Sequence, residues 1–418
     1  MKPCGCSGKQ LGGLDRRDAI FRTVPKEKRL IVDTGSLVDG GEEQDLIKFD
    51  IIVQAFNLLG YDLVHLTDTD VEVAGNKVLL DSIGSLFDVI AAPRSADVNV
   101  PAKYTRQFAL KDGAVAVTIA AVDPQVTSAE QIQELFGSQP GAEAVNMVIL
   151  SRSDSATVDS IVAQAPAVDC VICPPESDEP RAVARRQNRL LVFSPGRLGK
   201  YVTRLQIYPE LKKPTVPRRA EAQEAGTKEI LSTTHSGLQI AFSAVPITED
   251  LPQESSQVQL YQTYQLLLKE TNILQRLPRF TLPDDLEYAG SLACAICHDE
   301  VYQKWRSTRH ANAYATLERV GSQYDPECVI CHVIGLEYKS GFVSPELTPD
   351  MKDVGCENCH GPASEHAATA GAVELGRPRS TCVDCHSPEH STDFAGNEAR
   401  YRQKIVHWTE QNSSSNVK

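Results

Sequence analysis

Long apolar stretches and an excess of positive charge are both absent from this chain of 418 residues. No run approaches the roughly 20 apolar residues that a membrane-spanning helix needs, so we predict no membrane-spanning segment. Lys and Arg number 42 against 55 Asp and Glu, which gives a formal net charge of -13. A phosphate backbone is bound through clustered Lys and Arg, so this balance argues against a nucleic-acid partner.

A secretory signal is also absent, because residues 1–30 carry neither a charged n-region nor an apolar h-region. Methionine is scarce, with three residues in the chain. Hydrophobic residues nevertheless make up 41%, which is ordinary for a folded protein, and the length is sufficient for two domains. The residue type that stands out is cysteine, with 12 copies.

Eight of the 12 cysteines lie in four copies of one pattern, C-x-x-C-H. Two thiols three positions apart can bond the two vinyl groups of one haem, while the next residue presents its imidazole to the iron. Paired C-x-x-C motifs also build zinc ribbons, but zinc does not require His directly after every second Cys. The sequence therefore predicts four covalently bound haems c as cofactors. The motifs are Cys294-Ala-Ile-Cys297-His298, Cys328-Val-Ile-Cys331-His332, Cys356-Glu-Asn-Cys359-His360 and Cys382-Val-Asp-Cys385-His386.

Covalent haem attachment also predicts the compartment. Bacteria attach haem to c-type cytochromes outside the cytoplasm, so we expect a periplasmic, outer-membrane associated or extracellular location. An exported chain needs a signal, which residues 1–30 lack. We therefore expect the natural start to precede Met1.

Four parts are predicted along the chain. Residues 1–210 alternate strands with helices, which is typical of an α/β layered fold, and residues 211–283 form a linker rich in Pro and charge and a connecting helix. Residues 284–410 form a haem domain, in which about 30 residues per haem are too few to bury an ordinary core. Residues 411–418 are a polar tail. Strands are expected at 29–35, 63–66, 145–150, 168–172, 190–193, 202–207 and 238–245, helices at 42–59, 128–136, 156–164 and 256–277, and a hairpin over 104–122.

Six histidines remain once the four motif residues are set aside. His310, His366 and His407 lie in the haem domain and are predicted distal ligands, so bis-His ligation with its low potentials is expected. His390 follows His386 too closely to cap the same haem, which leaves it as a ligand of another haem or a surface residue. Three distal ligands for four haems leave one iron open to small ligands.

Segments around the haem motifs carry a family likeness. They are Tyr288-Ala-Gly-Ser-Leu-Ala-Cys294, Trp305 with His310-Ala-Asn-Ala, and Gly355-Cys356-Glu-Asn-Cys359-His360-Gly-Pro-Ala-Ser-Glu-His366. They resemble the cytochrome c-554 type of tetrahaem cytochrome, which implies a mostly α domain with closely stacked haem pairs and electron transfer as its task. In that family the second haem, here that of His332, can lack a distal ligand. Related filament-forming tetrahaem cytochromes have every iron six-coordinate, so both states stay open.

Segments of the N-terminal part carry a second likeness: Gln10-Leu-Gly-Gly13-Leu-Asp-Arg16-Arg17, Asp33-Thr34-Gly35 and Gly196-Arg-Leu-Gly199-Lys-Tyr201. They resemble the metallophosphoesterase domain of periplasmic 5′-nucleotidases, which binds two metal ions through Asp, His and Asn. Here Ser36 replaces an expected Asp, Ser151 replaces a His, and Cys170-Val-Ile-Cys173 replaces Gly-His-x-His. We therefore predict an inactive, N-terminally truncated domain, since such hard ions need oxygen and imidazole ligands.

Four cysteines outside the haem motifs leave two interpretations open. Cys4, Cys6, Cys170 and Cys173 either form structural disulfides in an oxidising compartment or form a thiol redox or soft-metal site that feeds the haems.

The combination of both domains resembles the nucleotidase-like multihaem c-type cytochrome (seleno)proteins of metal-reducing bacteria. These are encoded with outer-membrane porin–cytochrome conduits. The resemblance implies electron transfer in periplasmic or extracellular anaerobic respiration, with other multihaem cytochromes and such a conduit as partners. The alternative is a reductase of a small nitrogen or selenium oxyanion, acting at an open haem or at the Cys4/Cys6 site. We expect an electron carrier rather than an enzyme, without phosphatase activity.

Overall fold

The computed structural model describes most of the chain, in two compact units that divide between Tyr261 and Gln262. None of the helices in the described part is both long and apolar enough to cross a membrane. Cys4 and Cys6 lie outside the described residues. These residues are 11–75, 82–92, 100–110, 113–136, 143–208, 230–376, 382–387, 390–391 and 393–407.

The first unit alternates strands and helices, as predicted. Its strands are β1 (Val32–Asp33), β2 (Leu63–Leu66), β3 (Asp88–Ala91), β4 (Lys103–Leu110), β5 (Gly113–Val122), β6 (Glu143–Leu150), β7 (Cys170–Ile172), β8 (Arg181–Arg185), β9 (Leu190–Ser194), β10 (Tyr201–Tyr208), β11 (Ile230–Thr233) and β12 (Gln239–Pro246). Its helices are α1 (Arg17–Phe21), α2 (Glu43–Leu59), α3 (Asp68–Ala74), α4 (Ala129–Phe136) and α5 (Ser155–Gln164), and α6 (Ser255–Glu270) spans the division between the units.

The described strands form three sheets. Strands β1, β2 and β3 are parallel. The largest sheet has the order β4-β5-β6-β7-β9-β8, with four parallel inner strands and an antiparallel strand at each edge. Strands β10, β12 and β11 form an antiparallel sheet. Residues 145–150 of β6 are all buried, because an inner parallel strand is covered on both faces and therefore forms one continuous apolar run.

Two apolar layers cover the largest sheet. On one face, Ile132 of α4 and Ile161 of α5 pack into a core with Val148 of β6. On the other face, Phe242 of β12 packs into a second core with Met147 of β6. The α/β layered architecture predicted from the sequence is therefore confirmed.

Two predicted boundaries differ from the structure. Residues 211–283 were predicted as linker and connecting helix, yet β11 lies among them and pairs with β12. The Pro and charge of residues 211–229 hide the short apolar strand that follows. The helix predicted over 256–277 ends at Glu270, because Asn272 adopts a left-handed conformation (φ 51°) before the short helix α7 (Ile273–Arg276).

The second unit is mostly α, as predicted, and its helices are short. They are α8 (Ser291–Ala295), α9 (Asp299–Arg306), α10 (Ala313–Val320), α11 (Pro326–Val329), α12 (Glu357–His360), α13 (Ser364–Ala368), α14 (Cys382–Cys385) and α15 (Glu398–Gln403). Several buried apolar side chains among its described residues form one cluster, which includes Tyr314, Val329 and Phe342. That cluster surrounds the second motif, and the remaining motifs lie on short helical turns outside it.

Candidate haem sites

Each C-x-x-C-H motif lies on a helical turn. In three of them the backbone N–H of the histidine donates to the carbonyl oxygen of the first cysteine: His298 to Cys294 (2.9 Å), His360 to Cys356 (3.0 Å) and His386 to Cys382 (2.8 Å). In the second motif, His332 donates to Val329 at 2.8 Å. Residues three and four apart share one face of a helix, so each turn presents two sulfurs and one imidazole to the same side.

Three motif histidines each face a second histidine ring. The ring centres lie 6.1 Å apart for His298 and His366, 6.1 Å apart for His310 and His386, and 6.0 Å apart for His360 and His407. The ring planes meet at 13°, 41° and 63° in the same order. Each pair therefore joins one motif residue to one histidine that was predicted as a distal ligand.

The ring spacing fits an iron between the two imidazoles. An imidazole nitrogen binds a metal ion at about 2 Å, and the ring centre lies roughly 1 Å behind it, so rings on opposite sides of one iron have centres about 6 Å apart. Rings in direct contact lie closer, as His386 and Phe394 do with centres 4.6 Å apart. The paired residues therefore fit a haem between them.

Hydrogen bonds to backbone carbonyls set the tautomer of two of the histidines that were predicted as distal ligands. Nδ1 of His366 donates to the carbonyl oxygen of Val373 at 2.7 Å. Nδ1 of His407 donates to the carbonyl oxygen of Ile405 at 2.9 Å. A carbonyl oxygen only accepts, so Nδ1 carries the proton and the lone pair of Nε2 is available to a metal.

His332 of the second motif has a different environment. Its Nδ1 donates to the carbonyl oxygen of Ala313 at 2.7 Å, and burial lowers the pKa of its imidazole. Within the described part of the chain, no second imidazole faces His332 at the spacing of the three pairs. The charge of nearby His390 also lowers the pKa of His332, although the two rings form no such pair among the described residues. The backbone N–H of His390 donates to the carbonyl oxygen of Ser387 at 3.2 Å.

Contacts between thiols show which motifs are neighbours. The first and third motifs are joined by a hydrogen bond between Cys294 and Cys356, which lowers the pKa of Cys356. The second and fourth motifs are joined in the same way through Cys331 and Cys385. Burial and the nearby thiol of Cys382 raise the pKa of Cys359, so the third and fourth motifs are also neighbours. The third motif also contacts the end of the second, since Nδ2 of Asn358 donates to the carbonyl oxygen of Val333.

Polar side chains also gather where β1 and β2 end. The carboxylate of buried Asp70 accepts the backbone N–H groups of Ser36 at 3.0 Å and Leu37 at 2.9 Å. Nδ1 of buried His65 donates to the carbonyl oxygen of Thr34 at 2.9 Å, and burial lowers the pKa of His65. The side chains at this edge are thus engaged by the loop that follows β1.

Cys170 and Cys173 are free thiols on opposite faces of the largest sheet. Cys170 lies in the core between this sheet and β12, whereas Cys173 packs beside α5. Burial raises the pKa of Cys170 well above its usual range and that of Cys173 to about 11. Reactive cysteines are thiolates with lowered pKa values, so the surroundings of both residues favour unreactive thiols.

Two residues between the cysteines of the third motif, Glu357 and Asn358, were missed by sequence reasoning. Their side chains bind backbone groups of other segments. The signal available in the sequence was polarity, because the first two motifs have Ala-Ile and Val-Ile at the same positions.

Comparisons with known proteins find similar chains among solved structures and one sequence relative of the haem domain. Among solved structures, the chain is similar to the sulfate thiohydrolase SoxB of Thermus thermophilus, with 14% identity, a TM-score of 0.45, and coverage of 62% of this chain and 48% of that chain. It is also similar to a 5′-nucleotidase precursor from Thermus thermophilus, with 14% identity, a TM-score of 0.43, and coverage of 73% and 63%.

The haem domain matches by sequence. Cytochrome c-554 of Nitrosomonas europaea is 33% identical over 113 residues, which are 22% of this chain and 48% of that protein. This chain therefore spans about half the length of the curated relative that it matches. Residues 293–361, which contain the first three motifs, match the family model for cytochrome c554 and c-prime. Residues 293–361 of the C-terminal part are thus similar in sequence to the cytochrome c554 and c-prime family.

Proposed function

We propose that this protein transfers electrons through four covalently bound haems c. One observation carries the proposal: three motif histidines each face another histidine, with ring centres 6.0 to 6.1 Å apart. Bound haem supplies reversible one-electron chemistry. The residues of the chain supply thioether attachment through eight cysteines, axial imidazoles, and hydrogen bonds that fix the orientation of the rings.

We assign the distal ligands from these pairs. His366 serves the haem of His298, His407 serves that of His360, and His310 serves that of His386. The contacts between motifs support electron passage between the first and third haems and between the second and fourth haems, because neighbouring attachment sulfurs bring neighbouring porphyrins close together.

A second candidate function is reduction of a small nitrogen or selenium oxyanion at the haem of His332. It is favoured by the lack of a facing imidazole ring among the described residues, since an open iron position can bind a substrate. Nearby His390 lowers the pKa of His332, and its ligation of this iron would exclude the candidate. The Cys4/Cys6 site proposed for the same chemistry lies outside the described residues.

The setting proposed for the electron transfer is anaerobic respiration in the periplasm, at the outer membrane or outside the cell. Other multihaem cytochromes, within a porin–cytochrome conduit, are the proposed partners. The first unit is proposed as an inactive scaffold, because Ser36 and Ser151 stand where the 5′-nucleotidase resemblance expects metal ligands. Assays of the holoprotein with divalent metal ions and a phosphoester should detect no hydrolysis.

Low-temperature electron paramagnetic resonance (EPR) of the oxidised, fully loaded protein tests the central proposal. Haem content from the pyridine haemochrome should be four per chain, and three irons should be low-spin and indifferent to cyanide or nitric oxide. Four low-spin irons would remove the reductase candidate and leave the electron carrier. Fewer than three low-spin irons, or fewer than four haems, would contradict the ligand assignment.

A further inference from the structure

We propose that Glu357 is a positioning residue. Its buried carboxylate holds together the segments that bring His298 and His366 to opposite sides of one haem. This inference rests on the ligand assignment under Proposed function and adds the device that maintains it.

The Glu357 side chain makes three hydrogen bonds to backbone donors from two separate segments. Glu357 is 3% exposed. One carboxylate oxygen accepts the N–H groups of Ala289 at 2.9 Å and Ala363 at 2.8 Å, and the other accepts that of Gly290 at 2.8 Å. Burying a carboxylate is energetically costly unless it is hydrogen-bonded, so these three donors stabilise the buried side chain. The same bonds fix the two backbone segments relative to Glu357.

The two segments lead directly to the two histidines of one pair. Gly290 precedes α8, whose helical turn carries Cys294 and continues to His298. Ala363 precedes α13, which carries His366. Glu357 itself begins α12, the helix of the third motif. One side chain therefore links the attachment turn of the first haem, the helix of its distal ligand, and the attachment turn of the third haem.

Close packing between α8 and α12 gives independent support. The backbone N–H of Cys356 lies 3.3 Å from Oγ of Ser291, the first residue of α8. A Cβ atom added to Gly355 would overlap the same Oγ and the side chain of Ile334. The chain approaches α8 at a distance that only glycine permits at this position.

The neighbouring residue extends the arrangement to the second motif. Nδ2 of Asn358 donates to the carbonyl oxygen of Val333, the residue after His332, at 2.9 Å. Its Oδ1 accepts the N–H of Gly355 at 2.8 Å. At the position that corresponds to Asn358 the first motif has Ile296, which is 85% exposed. Among the described residues, the third motif is therefore the one in which both residues between the two cysteines bind backbone groups of other segments through their side chains.

The test compares Glu357→Gln and Glu357→Ala with Glu365→Gln as the matched control. Glu365 is an exposed residue of α13 next to His366. The glutamine variant keeps the size and one acceptor oxygen but turns an amide NH₂ towards a backbone N–H. EPR and potentiometric titration of the holoproteins are the readouts, because a general loss of stability would not select one haem.

We expect both Glu357 variants to change the low-spin signal of the nearly parallel His298/His366 pair and to shift the midpoint potential of that haem. The His310/His386 signal and the Glu365→Gln spectrum should match the wild type. An unchanged first-haem signal in Glu357→Gln would overturn the inference, as would equal changes at all haems. If Glu357→Ala fails to incorporate haem, Glu357→Gln alone decides. A wild-type spectrum without a low-spin signal from nearly parallel rings would instead contradict the ligand assignment itself.

Discussion

The ring of His310 lies 6.1 Å from the ring of His386, although the second and third haem motifs lie between these residues in the sequence. In the proposed assignment, the distal ligand of the last haem therefore comes from the segment that follows the first motif. Each of the three haems with a facing histidine pair would then join two separate segments of the chain.

Replacing His310 with alanine should open the iron that His386 binds. We expect one of the four haems to become high-spin and to bind carbon monoxide, because the described residues bring no other imidazole to that position. Carbon monoxide difference spectra of the reduced protein measure this directly. His235→Ala, which removes a histidine outside the haem domain, is the matched control and should leave the spectra unchanged. A spectral change in His235→Ala, or none in His310→Ala, would contradict the assignment.

The three histidine pairs should give three different low-spin EPR signals. Their ring planes meet at 13°, 41° and 63°, and the mutual orientation of axial imidazoles changes the splitting of the iron d orbitals. His366→Ala should remove the signal of the nearly parallel pair, and His407→Ala that of the most inclined pair. Three indistinguishable signals would mean that the haem-loaded rings have other orientations.

Asp70 should be far more important for stability than its neighbour Asp68. Removing the Asp70 carboxylate leaves the N–H groups of Ser36 and Leu37 without an acceptor, and the buried N–H of Leu37 alone costs about 1–3 kcal/mol when unsatisfied. The ion pair between Asp68 and Arg152 (3.1 Å) is partly exposed and contributes about 0–1 kcal/mol. Urea unfolding followed by circular dichroism should show a large loss for Asp70→Ala and a small one for Asp68→Ala. Equal losses would contradict this account.

His235 should make the β11–β12 turn sensitive to pH. A hydrogen bond to buried Asp169 (2.9 Å) raises the pKa of His235 in the folded protein. Its stabilisation is therefore fully present below the unfolded pKa of about 6.5 and is lost as pH rises through the raised folded value. Hydrogen exchange in residues 230–246 measures the opening of this turn.

The matched comparison for that experiment is His235→Gln at each pH, which cancels the intrinsic pH dependence of exchange. Wild-type protection should exceed that of the variant at pH 5.5 and approach it at pH 9. A difference that grows towards alkaline pH would have the wrong sign for a raised histidine pKa.

Haem attachment could be predicted from the sequence because the residues that it needs are consecutive in the chain. Two thiols and an imidazole must lie on one helical turn, so the spacing of Cys294, Cys297 and His298 carries the information by itself. The α/β layers were readable for a similar reason, since continuous apolar runs such as residues 145–150 indicate inner strands of a parallel sheet.

Tertiary structure decided the relationships between distant segments. The positions of His310, His366 and His407 in the sequence indicated candidate ligands but could not match them to motifs. Each pair joins residues that are distant in the sequence and meet only in the folded protein. The same holds for Glu357, since two of its three backbone donors belong to a segment that precedes the second motif. The sequence by itself thus indicated which residues can attach and ligate haem, whereas only the packing of the short helices decided which histidine rings face each other.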